Sequence, residues 1–590
     1  MGQRHQVFVV ARVAAKAPNQ LEPPPTPRYR CVGAYHHQWC YGRLPLMATK
    51  RFMSLIKQND NAEIIREELR VLQGLSLEDD KIPEVPCPYT LFLVASAWCY
   101  DLEIQYASGV SFDNGVLDAN MGSNEGDNND GITVIDITEP TKPTYCFVSV
   151  EGLEASDDAV PLSAEQYVRA YYPAPRINME AEEDAEQRLY AQRSEEDVKE
   201  KIDALRNEPV MSLYVLAEAW PAEYKSSDAF PAEDLAPAST PNVFPSLADL
   251  SLKPAVEYAI QTDDTTELEE LIWMPGKANL IKSALRDQDP FPDSGLSLLT
   301  RIVQHDVGSA KTADLSGFLL SDIQILSLLA EVEDVEQLKL SHNPNITVDG
   351  LRQVLSITPK LRRLVLLDTC ISDEQIYELI ANNSELFHTL EELIHPGLLS
   401  WQNPARYPKR FGYVGLYSLG RVASASLAVF TPATLVQCLT DHLSVIADLL
   451  PHQGYSYFAS SLIPRAIFSS AVRGEGEPWG ERRVHCFPSR PEAPFDGQGW
   501  LFADLWDDFT AGNRYGFVAK DSEGAWKIYD LAAFLSQMAL EGRPAPSEPA
   551  IKKLEAIFAD LQSKKEAKLW TDEEFARFMQ NFTMFDKRYR

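Results

Sequence analysis

The apolar positions between 310 and 395 return in one shape, apolar-x-x-apolar-x-apolar. It begins at Ala310 (with Ala313 and Leu315), Val335 (with Leu338 and Leu340), Leu361 (with Leu364 and Leu366) and Leu390 (with Leu393, and His395 in the last place). Successive starts lie 25, 26 and 29 residues apart. The alternation within each unit predicts a short strand with its leucines on one side. Between the strands, Leu351, Val354 and Leu355, then Ile376, Leu379 and Ile380, are spaced for one face of a helix. Such units bury their leucines only by stacking on one another. Fainter copies precede them. Leu247-x-x-Leu250-x-Leu252 fits the same strand template, and Leu268-Glu-Glu-Leu271-Ile272 matches Leu390-Glu-Glu-Leu393-Ile394.

The flanking patterns predict mixed elements. On the N-terminal side, strands are expected at Gln6–Val13, Tyr29–Trp39, Tyr89–Ala97, Gly131–Ile137 and Thr144–Val150. Helices are expected at Leu46–Lys57, Ala62–Leu72 and Ala164–Arg206, the last broken near Pro173 and Pro175. On the C-terminal side, Leu435, Leu439, Leu443, Ile446 and Leu450 make a helical stripe. Tyr515–Val518 and Ala525–Tyr529 flank a hairpin turn. Thr571 and Glu574 form a capping box ahead of Phe575, Phe578, Phe582 and Phe585. Five prolines between 221 and 245 interrupt both periodicities and predict a linker.

The resulting fold class is multi-domain α+β. A central short α/β repeat stands between an N-terminal α+β unit and a C-terminal, mostly helical α+β unit. The expected boundaries are 1–207 for the first unit, 208–245 for the Pro-rich linker, 246–400 for the repeat region with clear repeats at 310–395, and 401–590 for the last unit.

The segments VEQLKLSHNPNITVDGLRQVL and LRRLVLLDTCISDEQIYELI resemble the ribonuclease-inhibitor-like class of leucine-rich repeats. The resemblance implies a solenoid whose strand side binds protein partners, and it does not single out a partner. Asn343 stands where this class uses a side-chain amide to satisfy turn backbone, and Thr369 departs from that pattern. The opening segments MGQRHQVFVVARV and YRCVGAYHHQWCYG are also similar to the starts of a family of fungal proteins, a likeness that implies no mechanism.

A length of 590 residues exceeds what one core organises, which agrees with several units. Acidic residues outnumber basic ones by 86 to 54, giving a net charge of −32. Such a field repels phosphate and argues against a nucleic-acid binder. The apolar run Tyr89–Tyr100 is too short to span a bilayer, so no membrane partner is expected. The 8 cysteines are scattered without CxxC pairs, as in reduced intracellular proteins. The cytoplasm is the expected compartment, with the nucleus as the alternative.

The strand side of the repeats offers Lys339, His342, Arg362, Arg363, Asp368 and Glu392 between the leucines. Arg363 is the side chain best suited to bidentate contact with a partner. The leading expectation is therefore a scaffold that holds protein partners on this surface, with no cofactor. The alternative is a hydrolase or transferase seated in the N-terminal unit. It would draw on His36, His37 and Cys40 with Asp113 and Asp118, residue types suited to nucleophilic or acid–base chemistry. Asp127, Asn129 and Asp130 supply the oxygens of a candidate cation loop, although Gly131 falls one place early for a calcium-loop template. Neither GxSxG nor HExxH occurs.

Overall fold

In the computed structural model of the protein, β1 (Arg4–Val13) carries the run Val7-Phe8-Val9-Val10-Ala11, every residue fully buried. A strand buried on both faces belongs in the middle of a sheet. It pairs antiparallel with β2 (Arg28–Gln38) and parallel with β4 (Ile132–Asp136). β3 (Gly115–Leu117) and β5 (Thr144–Val148) complete the order β3-β2-β1-β4-β5. The structure describes residues 4–13, 27–38, 40, 42, 44–74, 81–99, 115–126, 128–148, 161–171, 196, 198–224, 247–274, 276–396, 414–418, 426–427, 431–433, 435–436, 439–440, 443, 488–489, 500–505 and 512–586. They fall into two compact units, one ending by 236 and one beginning at 237, and each is described by itself.

In the first unit, α1 (Leu44–Ile56) and α2 (Asn59–Gly74) occupy the predicted helical segments. Tyr89–Ala97, expected as a strand, lies in helix α3 (Pro88–Cys99). The reason is a cap supplied from a distant part of the chain. The buried Glu68 carboxylate on α2 accepts from Tyr89 N at 2.6 Å, Thr90 N at 3.0 Å and Thr90 Oγ1 at 2.7 Å. These are donors that the first turn leaves unpaired, and Pro88 needs no such partner. α4 (Ala164–Tyr171) takes the start of the long predicted helix. α5 (Leu213–Ala219) falls inside the expected linker, yet Met211, Val215, Leu216 and Trp220 pack in one core with Phe8, Val10 and Val134. The first unit therefore runs past 207.

The second unit opens with α6 (Leu247–Thr262), α7 (Thr266–Leu271), α8 (Lys277–Arg286) and α9 (Leu296–Ala310). The two fainter copies of the strand template, at Leu247 and Leu268, are thus helices. Leu252, Val256 and Ala259 are buried at helical spacing, which a six-residue strand template cannot register. Four strands follow: β6 (Thr312–Asp314), β7 (Gln337–Lys339), β8 (Arg363–Val365) and β9 (Glu392–Ile394). They form a parallel sheet in chain order. Helices α10 (Asp322–Ala330), α11 (Val348–Ile357) and α12 (Asp373–Asn382) connect them. One continuous core runs from Leu252 to Leu393.

The connections repeat in outline. Gly317, His342 and Asp368 each turn the chain with positive φ, at 72°, 58° and 50°. Ser321, Thr347 and Ser372 each cap the following helix by accepting from the N–H three residues on. Asp322 also accepts from Thr347 N at 3.0 Å and Thr347 Oγ1 at 2.6 Å. Gly350 lies against it, and a Cβ at 350 would come within 2.0 Å of Asp322 Oδ1. Asn343, fully buried, donates to Leu315 O at 2.8 Å and Leu340 O at 3.0 Å and accepts from Leu320 N at 3.1 Å. Thr369 takes the corresponding place one unit later, and its buried Oγ1 finds no hydrogen-bond partner among the described residues.

Beyond the repeats, a five-stranded sheet joins β10 (Val414–Ser418), β11 (Trp500–Leu505), β12 (Arg514–Lys520) and β13 (Trp526–Tyr529) in that order, with β14 (Lys568–Leu569) on β12. α13 (Leu531–Leu540), α14 (Glu548–Lys565) and α15 (Asp572–Asp586) accompany it. Among the described residues the region combines helices with this sheet, an α+β arrangement in which the helices are the longer elements. Stacked rings fill its core, Tyr515 on Phe558 at 4.7 Å and Phe517 on Phe534 at 4.1 Å. The predicted capping box holds α15, with Thr571 Oγ1 accepting from Glu574 N at 3.2 Å. Leu435, Leu439 and Leu443 are buried, while Ile446 and Leu450 lie outside the described residues.

Asn343 and Thr369 make a paired test. Asn343→Ala orphans two carbonyls and an N–H, and is expected to cost about 3 kcal/mol in urea unfolding. Thr369→Val removes a hydroxyl that bonds to nothing and is expected to be neutral or slightly stabilising. Equal losses in the two variants would remove the special role given to Asn343.

Candidate functional site

The N-terminal candidates take different places around the sheet. His36 and His37 are neighbours on β2 and leave it on opposite faces. His37 lies across from His5 on β1 and is buried, as is Cys40. Asp118 sits in an exposed turn, where its Oδ1 accepts from Asn120 N at 2.8 Å and Asn120 Nδ2 at 2.9 Å. Asp113 lies outside the described residues, as does Asp127. Of the candidate cation loop, Asn129 Oδ1 and Asp130 Oδ2 both accept from Arg4 N, at 2.8 and 3.1 Å. Those oxygens fasten the start of β1 to the loop. Among the described residues, no three His, Cys, Asp or Glu side chains come together as a metal-ligand set.

Sequence reasoning passed over the polar group at the centre of this sheet. His5 Nε2 lies 2.8 Å from Thr133 Oγ1, and its Nδ1 lies 3.2 Å from the Asp130 carbonyl. Tyr167 OH donates to the same carbonyl at 2.7 Å. Burial drives the His5 pKa down to about 3; the Asp130 carbonyl opposes this, and His37 and His36 add to it. The ring is a neutral strut between strands. Its signal in the sequence is a histidine in register with Val7 and Val9, on a face that is otherwise apolar.

The strand side of the repeats is divided. Around β6 and β7, the side chains of Thr312, Asp314, Gln337 and Lys339 are half-buried. Around β8 and β9, Arg363, Val365, Glu392 and Ile394 are all buried. Arg363 and Glu392 were expected to face a partner. Instead they face each other, with Arg363 Nε 2.8 Å from Glu392 Oε2 and each side chain only 4 % exposed. Neither is presented on an open surface. A charge in that setting needs an opposite charge beside it, which the neighbouring strand provides.

The open part has its own electrostatics. Lys311, Glu336, Arg362 and Glu391 stack along the entrance to the strands, alternating in sign. Lys311 pairs with Glu336, Arg362 Nη1 lies 3.8 Å from Glu336, and Arg362 Nη2 lies 2.5 Å from Glu391. Burial works against ionisation of Asp314, but the Arg286 and Lys339 cations overcome it and hold its carboxyl below the usual range. Arg286 also donates to Ser316 O at 2.9 Å and lies 4.7 Å over the Phe318 ring. His342 is largely buried and pairs through Nδ1 with the exposed Asp368 at 3.1 Å.

Compared with known protein families, curated proteins and solved structures, the chain matches none. No helix among the described residues is long and apolar enough to cross a membrane.

Two measurements follow from these buried groups. Between the unfolded histidine pKa of 6.5 and the folded value of about 3, the unfolded chain holds the extra proton. The stability from a neutral His5 is therefore complete above 6.5 and is lost as pH falls. Urea unfolding across that window should show a slope about 1.4 kcal/mol per pH unit steeper for the parent than for His5→Asn. Parallel slopes would exonerate His5. At the second group, Arg363→Glu should cost about 3–5 kcal/mol by leaving buried charge unpaired. The double change Arg363→Met with Glu392→Leu should stay within about 1 kcal/mol of the parent. If the double change is as harmful as the single, the pair is not coupled.

Proposed function

We propose that this chain is an intracellular interaction protein, in which residues 310–395 form a short leucine-rich repeat of the ribonuclease-inhibitor-like class. Its protein partner is held on the open part of the strand side, by Lys339, Arg362 and Asp368. The observation that carries this reading is the recurrence of one strand, one turn and one capped helix at each step. A stacked array of this kind holds its side chains on a rigid frame, as an interaction surface requires. Helices α6–α9 cover one end of the array and continue its core. Arg363, Glu392 and His342 are removed from the expected contact set because they are buried. The free thiols of Cys31, Cys40, Cys87, Cys146 and Cys370 suit a reducing compartment.

A photo-crosslinking amino acid at Gln337, on the strand side, should capture a discrete partner in cells. The same group at Gln353, exposed on α11, should not. Adding Lys339→Glu and Arg362→Glu should cut the adduct about fivefold without lowering the melting temperature. Equal capture from both positions, or capture indifferent to the charge reversal, would sink the assignment.

A further inference from the structure

The helical end of the second unit carries an apolar surface that its own core does not use. Trp273 is 74 % exposed and Met274 is 51 % exposed, directly after α7. The Trp273 ring stands edge-on to His305 of α9, with centroids 4.9 Å apart. His305 lies on the surface, and one helical step on, at Gly308, an added Cβ would meet nothing within 4 Å. The indole is therefore propped against a bare stretch of α9 and leaves most of its surface open. Elsewhere the large exposed apolar side chains Ile323 and Leu540 lie on separate helices.

On its α7 side this shelf is bordered by acid, while Lys277 follows it and Arg301 stands one turn before His305 on α9. The segment 263–270 holds Asp263, Asp264, Glu267, Glu269 and Glu270 with no Lys or Arg among them. Of these, Glu269 faces a cation, Arg301, at 3.8 Å. The chain keeps a helical turn through Ile272, and Met274 N donates to Leu271 O at 3.0 Å. Glu269 and Glu270 therefore lie within one turn of Trp273. An open indole flanked by carboxylates attracts a cation twice, through the ring face and through the carboxylates. Met beside Trp adds a pliable apolar contact.

We propose that the Trp273–Met274 shelf is a docking site for a basic, amphipathic peptide segment of a partner protein. Its apolar side packs on Trp273 and Met274, and its Lys or Arg residues meet Glu267, Glu269 and Glu270. This surface is separate from the strand side of the repeats and does not depend on how that side is used.

The test uses the full chain and a labelled amphipathic peptide of Leu and Lys, about four turns long. One companion peptide replaces Lys with Glu, and another replaces Leu with Ser. The Leu/Lys peptide is expected to bind and both companions to bind at least about tenfold more weakly. Trp273→Ala with Met274→Ala should weaken the Leu/Lys peptide about tenfold, with an unchanged circular dichroism spectrum. Glu267→Gln with Glu270→Gln should weaken it about threefold and flatten its salt dependence. Ile323→Ala, at an exposed position on another helix, should change nothing. The proposal is overturned if the Leu/Lys peptide does not bind, if the Ser peptide binds equally, or if the Trp273 variant binds like the parent. The last result would mean diffuse attraction to the net charge of −32. Self-association of the parent that the Trp273 variant abolishes would also overturn it, in favour of a second copy of the chain.

Discussion

A strand of three residues makes too few backbone hydrogen bonds to persist alone, and four such strands carry the middle of this chain. The strands hold because the backbone ladder continues past their ends into the turns. Leu315 N donates to Lys339 O and Gly317 N to Ser341 O; Leu340 N donates to Val365 O and His342 N to Leu367 O. Asn343 closes the same network from inside by linking Leu315, Leu340 and Leu320. Each unit thus completes the one before it. Among the described residues β6 has no strand before it, and the α6–α9 helices share the core at that end.

This dependence explains what could be read in advance. Stacking fixes which positions must be apolar, so strands β6, β7 and β8 and helices α11 and α12 were legible from periodicity. Hydrogen bonds from distant residues leave no such trace. Glu68 caps Tyr89–Ala97 as a helix from 21 residues earlier in the chain, and a window over that segment, largely apolar, does not contain it. Leu247 and Leu268 misled for the opposite reason. A six-residue template accepts any segment with three apolar residues at the right places, and helices supply many. Leu435, Leu439 and Leu443 were legible as core because their spacing alone decides it.

The candidate site was less legible than the fold, because residue type does not reveal whether a polar side chain serves solvent or structure. His5, Glu68, Arg363 and Glu392 carry the groups that chemistry uses, and each is buried holding the fold. Arg363 and Lys339 occupy neighbouring strands in the same sheet, yet one is enclosed and the other half-open. No spacing in the local sequence encodes that difference. Asn129 and Asp130 make the same point. Oxygens in a cation-like pattern are spent on one backbone N–H.

The contact between Asp322 and Gly350 bears on how such a region can grow. Asp322 reaches across to the start of the next helix and occupies the space where a side chain at 350 would stand. A unit copied by gene duplication and inserted between these two would have to bring both an acid at the head of its helix and a missing side chain in the following one. Bringing only one would leave either an overfilled gap or an unanswered Thr347. This junction therefore behaves as a matched pair, inherited together or lost together, and it limits where the array can lengthen.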